Sequence, residues 1–287
     1  MPNVELLQPT SIDEAVALLA RDGGNMKIIA GGTAMVIMLR NRLIAPAKLL
    51  SVGRLRELSY IRHEPGTGLR IGALTTIRDV ETSPVVRRQN PTLARTFAQV
   101  GNVRVRHSAT VGGNLSEADY ASDPPCVLVA MRARVKAKSV RGEREIPLTG
   151  LFKGFYETAL APDEILTELI VPELAPGTRS TYIKFVSRSS EDRPCAGMAA
   201  VVELNSDGTC KGLRVVAGAV AEVPQEVGSA EARARGKRLE GALVSEMAEA
   251  YSAAISPLSD LRGSEWYRKQ LIRVLVRRAI EEAVATV

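Results

Sequence analysis

The chain has 287 residues, 45% hydrophobic and 24% charged, which fits one large or two moderate globular domains and excludes a mainly disordered protein. Lys and Arg outnumber Asp and Glu by 38 to 32, and the resulting net charge of +6 leaves nucleic-acid binding open as one interpretation. Only 4% of the residues are aromatic, which argues against binding of single strands through stacked bases.

Predicted helices and strands alternate along the first 176 residues. Ser11 and Glu14 form a capping-box pattern at the start of the first helix, which we expect to end at the Gly23–Gly24 pair. The other predicted elements are strands at 27–30, 48–52, 134–139, 145–147 and 164–171, a hairpin across 59–73, and helices at 35–43, from 77, at 91–100 and at 123–131. Residues 101–114 are rich in glycine and β-branched residues, and no element is predicted for them.

A proline- and glycine-containing segment, 172–177, is the predicted linker to a second unit. Strands are predicted there at 180–186, 195–204 and 212–219, followed by helices at 230–238, 243–255 and 265–284. We therefore predict an α+β chain with domains at 1–176 and 177–287.

The sequence predicts no metal site and no disulfide. Cys126, Cys195 and Cys210 are widely spaced, as expected for reduced thiols in a cytoplasmic protein, and the chain has only two histidines. There is no signal-peptide pattern and no apolar run of about 18 residues, so we expect a cytoplasmic protein without a membrane span.

Two glycine pairs beside threonines are the clearest candidates for a binding site. Gly31–Gly32 follows a predicted strand and precedes Thr33, and Gly112–Gly113 follows Thr110. Adjacent glycines allow successive N–H groups to point into one concavity and hold an anion, and a helix start beside them adds positive charge. Together the two loops could hold a pyrophosphate, or each could be an ordinary tight turn. The sequence contains no dinucleotide-binding GxGxxG pattern and no P-loop.

Several segments, in a fixed order, resemble one known family. They include AGGT at 30–33, TVGGNL at 110–115, ASDPP at 121–125, PDEIL at 162–166, YIKF at 182–185 and DLRGS at 260–264. The chain resembles the flavoprotein (medium) subunit of the molybdenum hydroxylases, the group that contains carbon monoxide dehydrogenase and xanthine dehydrogenase. This resemblance spans nearly the full length. It implies a two-lobed FAD-binding domain of the vanillyl-alcohol-oxidase type, followed by a small α+β domain.

The resemblance also implies which residues contact FAD. They are Ile28, Ile29, Ala30, Gly31, Gly32, Thr33, Ala34, Met35, Thr110, Val111, Gly112, Gly113, Asn114, Asp123, Ile165, Leu166 and Lys184. The two glycine loops would hold the pyrophosphate, Asp123 a nucleotide hydroxyl, and Lys184 would lie near the isoalloxazine. Judged from the residues alone, Asp123 could instead cap a helix, Ile165 and Leu166 could be strand core, and Lys184 could be a solvated lysine.

The resemblance further implies a three-subunit complex, assembled as a dimer of heterotrimers. A large subunit would hold the molybdenum cofactor and a small subunit two [2Fe–2S] clusters. This chain would pass electrons through FAD to a final acceptor, with no catalytic residue beyond the flavin. Two alternatives stay open: a stand-alone flavin oxidoreductase of the same fold, and a basic nucleic-acid-binding protein.

Overall fold

The computed structural model describes residues 4–22 and 24–285. The first helix was expected to end at the pair Gly23–Gly24, and Gly23 lies outside these residues. No helix in the described ranges is both long and apolar enough to cross a membrane.

The first lobe is a small parallel sheet with two helices. Its elements are β1 (Glu5–Leu7), α1 (Ile12–Asp22), β2 (Met26–Ile29), α2 (Met35–Arg40) and β3 (Lys48–Ser51), and the strand order is β1-β3-β2. Ser11 caps α1 as predicted, because the Glu14 N–H donates to Ser11 Oγ at 3.1 Å. The reciprocal half of the predicted capping box is not formed, since the Glu14 carboxylate accepts from the N–H of Thr10, one residue before the cap. Helix α1 is amphipathic and buries Ala15, Val16 and Leu19. Strand β1 was not predicted.

The second lobe surrounds a five-stranded antiparallel sheet of order β4-β5-β10-β6-β7. Its elements are β4 (Ile61–Glu64), β5 (Gly68–Gly72), α3 (Ile77–Thr82), α4 (Pro84–Gln89), α5 (Pro91–Ala98), α6 (Val103–Ser108), α7 (Val111–Glu117), α8 (Asp123–Ala130), β6 (Arg134–Ser139), β7 (Gly142–Pro147), α9 (Leu148–Leu151), β8 (Phe152–Gly154), β9 (Glu157–Thr158) and β10 (Ile165–Val171). All eight residues of α8 are buried, so this helix forms the centre of the lobe.

The C-terminal part consists of an antiparallel sheet covered by helices. It contains β11 (Arg179–Phe185), β12 (Ala196–Leu204), β13 (Cys210–Gly218), β14 (Gln225–Glu226), α10 (Gly228–Glu231), α11 (Gly241–Ala254) and α12 (Glu265–Ala285). The strands lie in sequence order. Arg268 of α12 is fully buried and donates to the carbonyl oxygens of Cys195, Leu258 and Gly263 and to the Asp260 carboxylate. The predicted α+β architecture, with two lobes followed by a small α+β part, is confirmed.

Two expectations of secondary structure were wrong. The helix predicted at 230–238 is only the single turn of α10 followed by a 3-10 turn at Ala232–Ala234, and Gly236 then takes a positive φ of 73° that ends any helix. No element was predicted for residues 101–114, but this segment contains α6 and the start of α7. Their N-caps are Asn102 and Thr110, whose side chains accept from Val105 and Gly113 N–H groups.

One hydrophobic cluster spans both parts of the chain. The cluster that contains Leu128 and Val129 of α8 also includes Tyr182, Val201 and Val216 from the C-terminal sheet. A side chain at Gly218 would begin 2.8 Å from Cys126 Cβ, so strand β13 lies directly on α8. The C-terminal sheet therefore packs between α8 on one face and the helices α11 and α12 on the other.

Candidate cofactor-binding cleft

A cavity of about 500 Å³ lies between the two lobes. It is lined by Ala30, Gly31, Gly53, Arg56, Ser59, Leu74 and Thr110. Strands β2 and β3 are parallel, so the loops that follow them emerge at the same edge of the sheet and supply Gly31 and Gly53. The second lobe contributes Thr110. Both predicted glycine segments thus reach the same cleft.

The first glycine loop requires both of its glycines. A Cβ at Gly31 would lie 1.8 Å from the Ser108 carbonyl oxygen, and Gly32 has a φ of 72°. Among residues 4–22 and 24–285, the N–H groups of Gly31, Gly32 and Thr33 have no hydrogen-bond acceptor. These N–H groups lie at or next to the cleft, where Gly31 is a lining residue, and they are available to an acceptor such as an anion.

The second glycine pair does not form such a cradle, and this expectation was wrong. The N–H groups of Val111 and Gly112 donate to the carbonyl oxygens of Thr75 (2.9 Å) and Ala73 (2.8 Å). Those of Gly113 and Asn114 donate to the side chain and the carbonyl of Thr110. The segment is a capped helix start whose donors are already used, so its contribution to the cleft is Thr110.

The two glycines of this second pair have different surroundings. A Cβ at Gly112 would lie 2.7 Å from Ala73 Cβ, so this glycine permits close packing on the end of β5. Gly113 is exposed. Asn114 exchanges hydrogen bonds with the Ser122 hydroxyl, which fixes the turn before α8.

Asp123 and Lys184, predicted separately as FAD contacts, form a buried ion pair between the two parts of the chain. Lys184 Nζ donates to Asp123 Oδ2 at 3.0 Å and to the Gln99 carbonyl oxygen at 2.7 Å. Tyr182 donates its hydroxyl to Asp123 Oδ1 at 2.7 Å. Both charged side chains are about 5% exposed or less. Contact of either residue with a nucleotide would therefore require this pair to open.

Burial raises the pKa of Asp123 to about 6, while Lys184 and the Tyr182 hydroxyl act in the opposite direction. The hydrogen bonds from Lys184 and Tyr182 favour the ionised form of this carboxyl group. Burial and the adjacent Asp123 charge also raise the pKa of Tyr182, so its hydroxyl stays protonated and can donate to the carboxylate. Through these two hydrogen bonds to Asp123, Tyr182 and Lys184 of β11 hold this strand to α8.

The remaining predicted residues fall into two sets. Ile28, Ile29, Ala34 and Met35 are partly exposed around the first loop. Ile165 and Leu166 are only 3% and 5% exposed and belong to the cores of the first and second lobe. Of the cleft residues, sequence reasoning missed Gly53, Arg56, Ser59 and Leu74. Gly53 and Arg56 follow a predicted strand, and a parallel pairing of that strand with β2 would have indicated them.

Glu117, at the end of α7, has a buried carboxylate oxygen, Oε1, without a hydrogen-bond donor among the described residues. Burial, together with the nearby Asp119 charge, raises the pKa of Glu117 to about 7, although Arg193 opposes the shift. Because the folded state holds this proton more tightly than the unfolded chain, the stability that it contributes is lost as the pH rises from about 4 towards 7.

We expect Glu117→Gln to be more stable than the parent protein at pH 8 and to lose this advantage at pH 5, because glutamine does not titrate. Urea unfolding across this pH range measures the difference. The exposed Glu246→Gln in α11 is the control and should show no such trend. A variant less stable than the parent at pH 8 would contradict the expectation.

No group of histidine, cysteine, aspartate and glutamate suited to a metal ion occurs within the ranges 4–22 and 24–285. The three cysteines are buried free thiols. The groups available at the cleft are backbone N–H donors and the guanidinium of Arg56, and these suit a phosphate-bearing organic cofactor.

Two family models together match most of the chain. Residues 2–174 match the FAD binding domain in molybdopterin dehydrogenase, and residues 181–283 match the CO dehydrogenase flavoprotein C-terminal domain. The chain belongs to this family of FAD-binding molybdenum hydroxylase subunits. The family resemblance noted in the sequence is confirmed.

Curated relatives support this membership of the flavoprotein family over the full length. The chain is 33% identical to the carbon monoxide dehydrogenase medium chain of Hydrogenophaga pseudoflava over 284 residues, 99% of this chain and 98% of the relative. It is 32% identical to the glyceraldehyde dehydrogenase medium chain of Sulfolobus acidocaldarius over 281 residues, 98% of each chain. Since such relatives are dehydrogenase subunits, this flavoprotein is an oxidoreductase subunit.

Solved structures agree with the flavoprotein assignment. Carbon monoxide dehydrogenase from Hydrogenophaga pseudoflava, in a form lacking the Mo-pyranopterin moiety of the molybdenum cofactor, matches with a TM-score of 0.94 and 34% identity, covering 99% of this chain and 98% of that one. Reconstituted CO dehydrogenase from Oligotropha carboxidovorans also gives a TM-score of 0.94, at 28% identity, covering 99% of each chain.

Proposed function

We propose that this chain is the FAD-binding electron-transfer subunit of a heterotrimeric molybdenum-containing hydroxylase or dehydrogenase. The observation that carries the proposal is the cleft between the lobes, in a chain of this family. At this cleft the N–H groups of Gly31, Gly32 and Thr33 have no acceptor among the residues that the structure describes. The subunit receives electrons from a [2Fe–2S] cluster of a partner and passes them to a final acceptor.

The chain's own residues hold the cofactor and set its electrostatic surroundings. The N–H groups of Gly31, Gly32 and Thr33, with the Arg56 guanidinium, would stabilise the negative diphosphate. Thr110 would add a hydroxyl on the facing side of the cleft. FAD, when bound, supplies the redox chemistry, and the protein supplies orientation and charge.

The same proposal keeps the remaining predicted contacts. These are Ile28, Ile29, Ala30, Ala34, Met35, Val111, Gly112, Gly113, Asn114, Asp123, Ile165, Leu166 and Lys184. The N–H groups of Val111, Gly112, Gly113 and Asn114 are used within the protein. For these residues we therefore propose van der Waals contacts, or side-chain contacts where a side chain exists, and no backbone N–H donation. Near the flavin ring, the Lys184 cation would favour negative charge on that ring.

Partners follow from the names of the relatives, which include medium chains and a "dehydrogenase complex subunit alpha". We propose a large subunit with the molybdenum cofactor, a small subunit with two [2Fe–2S] clusters, and a dimer of heterotrimers. The domain division at 176 and a cytoplasmic location, suggested by the three free thiols, belong to the same proposal.

Purified protein is expected to carry equimolar FAD, because the cleft provides both donors and a cation for its diphosphate. Visible absorbance and chromatography of the heat-released cofactor measure this. A colourless protein that takes up no FAD on incubation would contradict the function. Native material that elutes as this chain alone, without iron and molybdenum, would favour a stand-alone oxidoreductase instead.

A further inference from the structure

Helix α2 exposes apolar side chains that nothing in the described chain covers. Five of its six residues are apolar, yet none is buried. Val36 and Ile37 are 54% and 50% exposed, and Leu43, just beyond the helix, is 72% exposed. An apolar helix is normally buried, and a contiguous exposed apolar surface marks an interaction site.

The chain segment that contains α2 is positively charged. No Asp or Glu occurs between Asp22 and Glu57, whereas this stretch contains Lys27, Arg40, Arg42, Lys48, Arg54 and Arg56. Within residues 4–22 and 24–285, Lys48 pairs with Asp22, but the four arginines form no ion pair. A partner that covers α2 should therefore present acidic side chains around an apolar centre.

The position of α2 indicates which partner this is. The Val36 N–H donates to the Gly32 carbonyl oxygen at 3.0 Å, so the helix starts at the loop with the unpaired N–H groups. Any protein that covers α2 must lie beside the cofactor cleft. Electron transfer between proteins needs a short distance between donor and acceptor, so the subunit that delivers the electrons has to approach this edge.

We propose that α2 and Leu43, with Arg40 and Arg42 at the rim, form the docking surface for the iron–sulfur subunit. The facing surface of that subunit has an apolar centre and an acidic rim. This inference rests on the proposed function and identifies the surface through which electrons enter the chain.

The apolar centre is tested with Ile37→Glu/Leu43→Glu, co-expressed with the other subunits of its own complex. We expect association with the iron–sulfur subunit to weaken at least about 100-fold, as for loss of hot-spot side chains, while FAD content stays equimolar. Val140→Glu is the matched control, because Val140 is 56% exposed in the turn between β6 and β7. The milder Ile37→Ser/Leu43→Ser should give a smaller loss of association in the same direction.

The rim is tested with Arg40→Glu/Arg42→Glu. Charge reversal should weaken association most at low ionic strength, and the difference from the parent should shrink as salt is added. A defect of equal size at all salt concentrations would overturn the role of the rim.

Any of the following outcomes would overturn the docking surface. They are unchanged co-purification of the Ile37/Leu43 variants, loss of FAD from them (which would mean that the cofactor itself covers the helix), and loss of the molybdenum subunit while the iron–sulfur subunit is retained. An equal defect in Val140→Glu would also overturn it. Failure of the proposed function looks different, since the parent protein itself would then lack FAD or partners.

Discussion

Gly31→Ala is expected to abolish FAD binding and to destabilise the first lobe. The added Cβ would lie 1.8 Å from the Ser108 carbonyl oxygen, a backbone atom that cannot rotate away. The loop and the end of α6 must separate, which moves the unpaired N–H groups away from the cleft. We expect a loss of about 3 kcal/mol or more in the free energy of unfolding and at least about 100-fold weaker FAD binding, since overpacking against backbone is among the severe mechanisms.

Gly53→Ala is the matched control in the same cleft. Its Cβ would meet only Ser51 Oγ, at 3.9 Å. We expect a change within about 0.5 kcal/mol in the free energy of unfolding. Denaturant unfolding and the flavin-to-protein ratio measure both variants. If Gly31→Ala unfolded like the parent and kept its flavin, the close contact between the lobes would not exist in solution.

Lys184→Met is expected to cost about 3–5 kcal/mol at pH 7, because it leaves the buried Asp123 carboxylate without its cation. The cost should shrink towards pH 5. Burial already raises the pKa of Asp123 to about 6, and removal of the lysine raises it further, so the folded variant takes up a proton as the pH falls. Urea unfolding at pH 5 and pH 7.5 measures the change.

Two further variants test whether the ion pair causes this effect. Lys184→Met/Asp123→Asn should recover a large part of the lost stability, since neither charge of the pair is left. Lys211→Met breaks a pair with Glu203 whose lysine is 63% exposed, and it should cost about 1 kcal/mol or less. A small effect of Lys184→Met, or no recovery in the double variant, would show that the pair does not form.

The sequence predicted best where a local pattern determines the structure. The Ser11 cap of α1 and the strand before Gly31 depend on neighbouring residues, and both were found. The turn at Gly31–Gly32 could be predicted because adjacent glycines directly after a strand favour a turn, whereas its role as an anion site stays a prediction. Thr110–Asn114 has nearly the same composition, but its threonine caps a helix, and its N–H groups pair with the turn after strand β5 and with Thr110 itself. Only tertiary structure decides this pairing.

Other features of the site depend on residues far apart in the chain. Asp123 and Lys184 are separated by 61 positions, and no local pattern indicates that they pair with each other. Gly53 and Arg56 reach the cleft only because β3 lies beside β2 in a parallel sheet. The family resemblance predicted FAD as the cofactor and the first glycine loop as its contact. The pairing of the buried charges could be seen only in the folded structure.

Cutting the exposed segment 175–177 would not release two separate proteins. The Thr92 hydroxyl donates to the Ser180 carbonyl, and the Arg214 guanidinium donates to the Ala130 carbonyl across the same boundary. Fragment 1–176 alone would expose the face of α8 that β12 and β13 cover, and fragment 177–287 would expose the opposing face of its sheet. The linker therefore connects the two halves, but the packing of α8 on the C-terminal sheet is what holds them together. Neither half is a suitable unit for separate expression.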